Sequence, residues 1–369
     1  MRKIPFLNIE YSNTELRKDL MSDFNRVLES NWFTLGNELI EFEKAIAKYT
    51  HTSYSVGVGN GLDALIISLR ALGVSSGDEI LVPSNTFIAT VLAVLEVGAK
   101  PILIEPRIET ANINPDLIEE LINSKTVGII AVNLYGRASE LDVISKIAKN
   151  HGLWLMDDNA QALGVKIGET PISNFTDISA TSFYPGKNLG ALGDAGAIYT
   201  NNIELYDKIK SIRNYGSLKK YEHDILGLNS RMDELQAAFL KTKLIRLDDW
   251  NNERKKIAKI YNEALSGINK IKLFDNSGIY EHVYHLYVIR VQNRDEIQKY
   301  LNNQGIQTVI HYPKSIKQHK AFENFKFNKS KTPIADNLSR EVLSLPIYPG
   351  LSVQDIYYVC DNLMNAVRR

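Results

Sequence analysis

The sequence is poor in cysteine and carries no excess of charge of either sign. Cys360 is the single cysteine among 369 residues, so an internal disulfide is excluded. The 43 lysines and arginines equal the 43 aspartates and glutamates, so no field of one sign attracts nucleic acid or an anionic membrane. The first residues show no secretory signal, and no run of about 18 uncharged apolar residues occurs. We therefore expect a cytoplasmic protein with no nucleic-acid or membrane partner.

The composition is that of an ordinary folded protein. With 44% hydrophobic and 23% charged residues and no low-complexity segment, the chain is expected to be ordered nearly throughout. Its length suits two or three folding units of roughly 150 residues each. Cys360 lies among apolar residues at helical spacing, so we expect it in the core and not as a nucleophile.

Between residues 53 and 200, short apolar runs alternate with segments of helical periodicity. Runs that are apolar throughout are typical of parallel strands covered by helices on both faces. This pattern predicts an α/β domain with a large, doubly wound, mostly parallel seven-stranded sheet. The predicted strands are 53–59, 79–84, 100–105, 126–134, 153–158, 177–183 and 195–200, with helices at 62–72, 115–123 and 140–152.

The pattern changes towards the carboxyl terminus. A long helical region is expected from Ser230, whose spacing to Asp233 is a variant of the capping box, to about Ser266. We predict a large domain over 1–250 and a smaller carboxyl-terminal α+β domain over 251–369, packed closely together. The small domain's predicted strands are 282–291 and 307–313, and its predicted helices are 294–305 and 352–367.

Two polar motifs follow predicted strands, at the edge where open α/β sheets bind ligands. The first, residues 157–161, comes directly after an apolar run, although polar residues also commonly end strands. The second places Lys187 in a bend with four glycines between positions 186 and 196. A lysine is usually a surface charge, but one desolvated behind a buried strand can act as an imine-forming amine.

Two further features complete a candidate site. Glycines 57, 59 and 61 join a strand to a helix, and free amides at a helix start suit a phosphate, although glycines also serve tight turns. Their spacing matches neither the dinucleotide fingerprint nor the P-loop, so neither NAD nor ATP is indicated. Phe87 follows another predicted strand, where its ring either packs in the core or stacks on a planar cofactor.

Together these features describe a pyridoxal phosphate site. Asp158 would pair with the protonated ring nitrogen and keep the ring an electron sink. Lys187 would hold the aldehyde as an imine and, once released, move a proton between substrate and cofactor carbons. Ser182 would add a hydroxyl to the phosphate contacts. No metal site is indicated, because His282 and His285 would point to opposite faces of a predicted strand.

These residues resemble those of the DegT-type nucleotide-sugar aminotransferases, a fold-type-I pyridoxal phosphate family, over essentially the whole chain. The most specific matches are the segments 182–190 and 157–162. The resemblance implies that Gln161 contacts the ring hydroxyl and that Asn229 reaches the cofactor phosphate of a neighbouring subunit, in a homodimer with shared active sites. It further implies a phosphate turn at Gly61 and Leu62, stacking by Phe87, and substrate contacts from Tyr184, His311 and Tyr312.

Within this family, the segments around Lys187 and at 213–217 look most like enzymes that aminate C-3 of dTDP-3-keto-6-deoxyhexoses for surface polysaccharides such as O-antigen or S-layer glycans. The resemblance implies L-glutamate as the amino donor and a cofactor that alternates with its pyridoxamine form, PMP. Relatives that dehydrate sugars have histidine instead of lysine, so Lys187 indicates transamination. Amination at C-4 is one alternative. A non-catalytic sensor is another, and it would be expected to lack the lysine or the acid.

The sequence also departs from the family pattern. Asn133 stands where many relatives have histidine, which alters contacts near the ring or sugar. Leu62 stands where many have threonine, which removes a hydroxyl and leaves backbone amides for the phosphate. The segment 314–316, after the His-Tyr-Pro stretch, differs as well.

Overall fold

All seven strands predicted for the large sheet are present. The structure, a computed structural model, describes residues 2–219, 221–327 and 331–368. The strands are β1 Tyr54–Val58, β2 Glu79–Pro83, β3 Lys100–Ile104, β4 Thr126–Val132, β5 Trp154–Asp158, β6 Lys166–Ile167, β7 Thr170–Pro171, β8 Ile178–Ser182, β9 Gly196–Thr200, β10 Ile271–Leu273, β11 Tyr287–Val291 and β12 Val342–Leu345. The helices are α1 Glu10–Glu15, α2 Arg17–Ser30, α3 Asn37–Thr50, α4 Gly61–Ala71, α5 Ile88–Glu96, α6 Leu141–Asn150, α7 Ile203–Ile212, α8 Glu234–Leu244, α9 Leu247–Leu265, α10 Arg294–Asn303, α11 Pro333–Glu341 and α12 Val353–Arg368.

The large sheet is mostly parallel, as predicted. Its strand order is β1-β9-β8-β5-β4-β2-β3, and β9 runs antiparallel to both of its neighbours. The pairs from β8 through β5, β4 and β2 to β3 are parallel. The carboxyl ends of the parallel strands therefore meet at one edge of the sheet.

Helices cover both faces of this sheet, which explains the unbroken apolar runs. In β2, Ile80 and Val82 pack in one core together with Ile67 of α4. Leu81 between them packs in a different core with Ile144 of α6. Because successive strand residues point to opposite faces, both faces must be buried.

A three-stranded antiparallel sheet, β10-β11-β12, organises the carboxyl-terminal part of the described chain. Residues of α9, α10 and α12 share its core, and Cys360 lies in that core with 1% exposure, as predicted. Ile4 pairs with Ile306 and joins the same core, so the amino-terminal segment packs on this domain. The proposed boundary at residue 250 falls inside α9. None of the helices in the described ranges is long and apolar enough to cross a membrane.

Four local predictions were wrong. The strand predicted over 282–291 begins only at Tyr287, so His282 and His285 lie before it and not within a regular strand. The segment 307–313 forms one isolated bridge, between Val309 and Ser344, instead of a strand, and a tyrosine hydroxyl bonds the carbonyl of its residue His311. The segment 115–123 forms two short 3₁₀ turns instead of an α-helix.

Ser230 does not begin the long helix, because its hydroxyl accepts a bond from the Gly59 amide instead. The helix begins at Glu234.

Candidate active site

The predicted motifs converge at the carboxyl edge of the large sheet. Asp158 is the last residue of β5, and Ser182 is the last residue of β8. Phe87 follows β2 and directly precedes α5, while Gly61 opens α4 after β1. Lys187 lies in the loop after β8. The parallel topology thus brings together side chains that are far apart in sequence.

Asp158 is buried and is held by two hydrogen bonds. Its Oδ2 accepts from the Thr90 hydroxyl at 2.8 Å, and its Oδ1 accepts from the Ala160 amide at 3.2 Å. The Thr90 oxygen also lies 2.9 Å from the Thr86 hydroxyl, which must be the donor because the Thr90 proton is already used. Burial raises the pKa of Asp158, whereas the two bonds and the nearby Lys187 amine oppose that rise.

Lys187 and Asp158 are close enough to affect each other's ionisation. Burial lowers the pKa of Lys187 to about 8, and the Asp158 carboxylate works against this effect. About a tenth of Lys187 is therefore the neutral amine at pH 7, far more than for an unperturbed lysine. A neutral amine is the form that attacks a carbonyl or accepts a proton.

The neighbouring acid, Asp157, has a different environment. It is fully buried, and both burial and the adjacent Asp158 charge raise its pKa well above the usual range. The Asn133 amide donates to its Oδ1, and the Asn133 oxygen accepts from the Ser139 amide at 2.7 Å. Both polar groups of the Asn133 side chain are therefore bonded within the core, and Asn133 has no exposed surface toward the cleft.

Two aromatic rings, those of Phe87 and Tyr312, pack together near Asp158. The rings of Phe87 and Tyr312 lie 5.5 Å apart, and Phe87 is half-exposed. The Gln161 amide donates to the Tyr312 hydroxyl at 3.1 Å, and its oxygen accepts from the Tyr135 backbone amide at 2.6 Å. The Tyr135 hydroxyl in turn donates to the His311 carbonyl at 2.6 Å. Residues predicted to contact ring and sugar therefore form one connected network.

The loop that carries Tyr135 approaches its neighbours very closely. Gly136 has a φ of 99°, and a Cβ there would lie 2.8 Å from the backbone nitrogen of His285 and 2.9 Å from the backbone carbonyl oxygen of Gln161. Tyr135 itself has a φ of 62°, a conformation that costs roughly 1 kcal/mol or more in a residue with a side chain. The hydrogen bonds of Tyr135 hold this strained loop against the cleft.

The turn before α4 forms a helix start, where backbone amides favour a nearby anion. Asn60 caps the helix by accepting from the Asp63 amide at 2.9 Å, while no hydrogen bond to the amides of Gly61 and Leu62 is present in the described part of the chain. A Cβ on Gly61 would lie 2.6 Å from Ser182, so only glycine fits there. Ser182 accepts from the Tyr184 amide at 3.2 Å, which leaves its hydroxyl proton free to be donated.

The histidines near Lys187 are neutral. Burial and Lys187 lower the pKa of His311 to about 4 and that of His285 well below its usual range. The Asn188 amide donates to Asn251 and to the Val283 carbonyl, so its oxygen accepts from Nδ1 of His285 at 3.2 Å. Nε2 of His285 is then the unprotonated nitrogen.

Sequence reasoning missed several residues of the site. Thr86, Thr90 and His285 carry polar contacts. The sequence analysis assigned no role to Thr86 and Thr90, and it considered His285 only as a metal ligand, which it excluded. Ser230 was assigned to a helix cap, whereas its hydroxyl bridges the Gly59 amide and the Asp63 carboxylate at 3.0 and 2.6 Å. Of the predicted residues, Phe87, Tyr184 and Asn229 are the exposed ones.

The comparisons with known proteins agree with this geometry. Residues 14–364 match the DegT/DnrJ/EryC1/StrS aminotransferase family. The chain belongs to this family. It is therefore a pyridoxal phosphate-dependent sugar aminotransferase, as the sequence predicted.

Alignments with similar proteins cover nearly the whole chain of this aminotransferase. The dTDP-3-amino-3,6-dideoxy-alpha-D-galactopyranose transaminase of Aneurinibacillus thermoaerophilus is 45% identical over 99% of both chains. The crystal structure of S. venezuelae DesV in complex with a ketimine intermediate covers 100% of both chains, with a TM-score of 0.97 and 39% identity. NtdA of Bacillus subtilis with bound PMP covers 100% of this chain and 86% of its own, with a TM-score of 0.94 and 33% identity.

The Thr90 hydrogen bond gives a testable consequence. Thr90→Val removes a donor to the Asp158 carboxylate, so the pKa of Asp158 should rise further. A bond to a charged group is worth about 1.5–3 kcal/mol, which corresponds to roughly one to two pH units. The acidic limb of the kcat/KM profile should therefore move to higher pH by about that amount. Thr90→Ser keeps the hydroxyl and should keep the wild-type profile; equal profiles for Thr90→Val and wild type would contradict the assigned contact.

Proposed function

We propose that this enzyme transfers an amino group from L-glutamate to C-3 of a dTDP-3-keto-6-deoxyhexose, forming a dTDP-3-amino-3,6-dideoxyhexose for surface polysaccharide. The observation that carries the proposal is the Lys187 amine beside the Asp158 carboxylate in one cleft. The relative from A. thermoaerophilus, named for a dTDP-3-amino-3,6-dideoxy sugar, supports the sugar class. A sensor without catalysis would have no need of both groups.

The residues of the cleft fit pyridoxal phosphate. The Gly61 and Leu62 amides and the Ser182 hydroxyl would hold the phosphate at the start of α4. The Phe87 ring would lie against the pyridine, and Asp158 would hold a proton on the ring nitrogen. When bound, the cofactor supplies the electron sink that lets a proton leave the amino-bearing carbon.

Lys187 is proposed to anchor the cofactor and then to act as the base. With a pKa of about 8, its Nζ can accept a proton at neutral pH and return it to the neighbouring carbon. The neutral histidines His285 and His311 add no competing positive charge beside it. The sugar would lie against Tyr184, His311 and Tyr312 on the open side of the cleft.

We also propose a homodimer with shared active sites. The outer side of α2 carries Met21, Phe24 and Leu28, which recur at helical spacing and are exposed. Trp32 and Phe33, just beyond α2, extend this patch, and Trp32 is 63% exposed. Monomers rarely leave such a row of large apolar side chains in water. A second copy that covers this patch would bring its Asn229 to the cofactor phosphate, as the family resemblance implies.

The substrate is tested by a direct comparison. Purified enzyme should form 2-oxoglutarate from L-glutamate with a dTDP-3-keto-6-deoxyhexose at least about tenfold faster in kcat/KM than with the 4-keto isomer, a difference of about 1.4 kcal/mol in the barrier. A preference for the 4-keto sugar would replace C-3 by C-4 amination. No turnover with either sugar would refute the proposed reaction.

The role of Lys187 has its own test. Lys187→Ala should lower the rate by about a thousandfold or more, because it removes both the anchor and the proton acceptor. Borohydride should fix pyridoxal phosphate covalently to the wild type and to Lys208→Ala, a surface control on α7, but not to Lys187→Ala. Covalent labelling of Lys187→Ala would assign the anchor to another lysine.

The dimer is tested on α2. Phe24→Glu combined with Leu28→Glu should shift sedimentation from dimer to monomer and reduce activity, because charges on the patch cannot be buried against a partner. Ser22→Glu adds an exposed charge to the same helix away from the patch and should leave the dimer intact. A wild-type protein that sediments as a monomer would end this proposal.

A further inference from the structure

A small cavity adjoins the Lys187 loop, and Lys187 is one of the residues that line it. Its volume is about 270 Å³, and it is enclosed by the amino-terminal residues 7–13, the loop 185–192 and helices α8 and α9. Three cationic side chains line it, those of Lys187, Lys243 and Arg254. Among the lining residues in the described chain, there is no aspartate or glutamate. The wall is therefore positively charged on one side and apolar at Leu7 and Trp250.

Lys243 is a buried cation without a counter-ion. It is 4% exposed, in the last turn of α8, and its ammonium donates to the Gly190 carbonyl at 2.8 Å. Among the described residues no carboxylate acts on its ionisation, and burial alone lowers the pKa of Lys243 to about 8. An ammonium carries three N–H donors, so two of them are available to a ligand.

Arg254, on α9, is a second buried cation without a counter-ion. It is 4% exposed, and its Nη1 donates to the carbonyls of Tyr284, His285 and Ile347 at 3.0 to 3.3 Å. Its Nε is buried and has no hydrogen-bond partner within the described ranges. Burial lowers the pKa of Arg254 to about 10, and no nearby carboxylate opposes this.

Two buried cations without carboxylate partners lower the stability of the fold if they serve only to fill space. Burying a charge without a partner destabilises a fold, and apolar residues of similar volume would fill the space at lower cost. Carbonyl oxygens and the carboxyl end of α8 compensate part of the positive charge. The Arg254 Nε–H and two Lys243 protons have no hydrogen-bond acceptor among the described residues. A bound anion would satisfy both groups.

We propose that Lys243 and Arg254 bind a carboxylate of the amino donor, and that this cavity gives the enzyme its preference for a dicarboxylic amino acid. This proposal rests on the proposed function, which supplies the donor. The cavity is slightly smaller than the roughly 300–1,000 Å³ usual for larger ligands, and Leu7 and Trp250 offer apolar contact to methylene groups. Lys187 also lines this cavity, so a donor held there would lie next to the residue that carries the reacting amine.

The test measures binding of glutarate, a five-carbon dicarboxylate that has no amino or keto group to react. In the cofactor-loaded enzyme, Lys243→Met should raise the glutarate Kd about 10- to 100-fold, as expected for lost bonds to a charged group. The melting temperature should stay equal or rise, because an uncompensated buried charge is removed. Lys241, two residues away, pairs with Glu38 and does not line the cavity, so Lys241→Met should leave the glutarate Kd unchanged.

Kinetics give a second measurement. With Lys243→Met, the half-reaction with L-glutamate should slow at limiting donor concentration, while the half-reaction of the PMP form with keto sugar should keep its wild-type rate. Lys243→Arg, which restores a cation, should recover most of the glutarate affinity. Should Lys243→Met not fold, Lys243→Gln allows the same comparison while retaining a donor to Gly190.

Several outcomes would overturn the proposal. They are an unchanged glutarate Kd in Lys243→Met, absence of glutarate binding to the wild type, or displacement of glutarate from the cavity by thymidine diphosphate in a Lys243-dependent way. Failure of the proposed function is distinguishable, because it would leave Lys243-dependent glutarate binding intact while neither keto sugar is aminated.

Discussion

The cleft depends on a single negative charge, that of Asp158, lying beside the amine of Lys187. Other ionisable groups surround this pair, but burial keeps them neutral: Asp157 as an acid, and His285 and His311 as bases. Because charges interact strongly where water is excluded, any further charge here would compete for the same partners. The neutral neighbours leave one carboxylate and one amine, the two groups to which we assign the ring nitrogen and the aldehyde in the proposed function.

The sheet topology makes this arrangement possible. Asp158, Ser182 and the Phe87 loop come from β5, β8 and β2, and parallel pairing places their ends along one edge. The edge is reinforced by short polar links, such as the Thr86 to Thr90 to Asp158 chain. Each link fixes the direction of a lone pair or a proton, which a strand end alone does not determine.

Sequence patterns predicted the large sheet and the paired Lys187 and Asp158 because each signal is local. A fully apolar run indicates a buried strand, and the acid and the lysine each follow such a run. Thr90, Ser230 and Lys243 were missed because their partners lie 68, 171 and 53 positions away in sequence. The segment 307–313 has the alternation of a strand, but its carbonyl at His311 bonds a tyrosine instead of a neighbouring strand. Such competition arises only once the chain has folded.

The burial of Cys360 has a practical consequence. The only thiol of the chain lies in the core formed by α9, α10 and α12, where burial also raises its pKa to about 12. Maleimide reagents act on exposed thiolates, so they would leave the native residue untouched. A cysteine introduced on α2 or beside the cleft could then carry a fluorophore or spin label with no prior removal of the natural one.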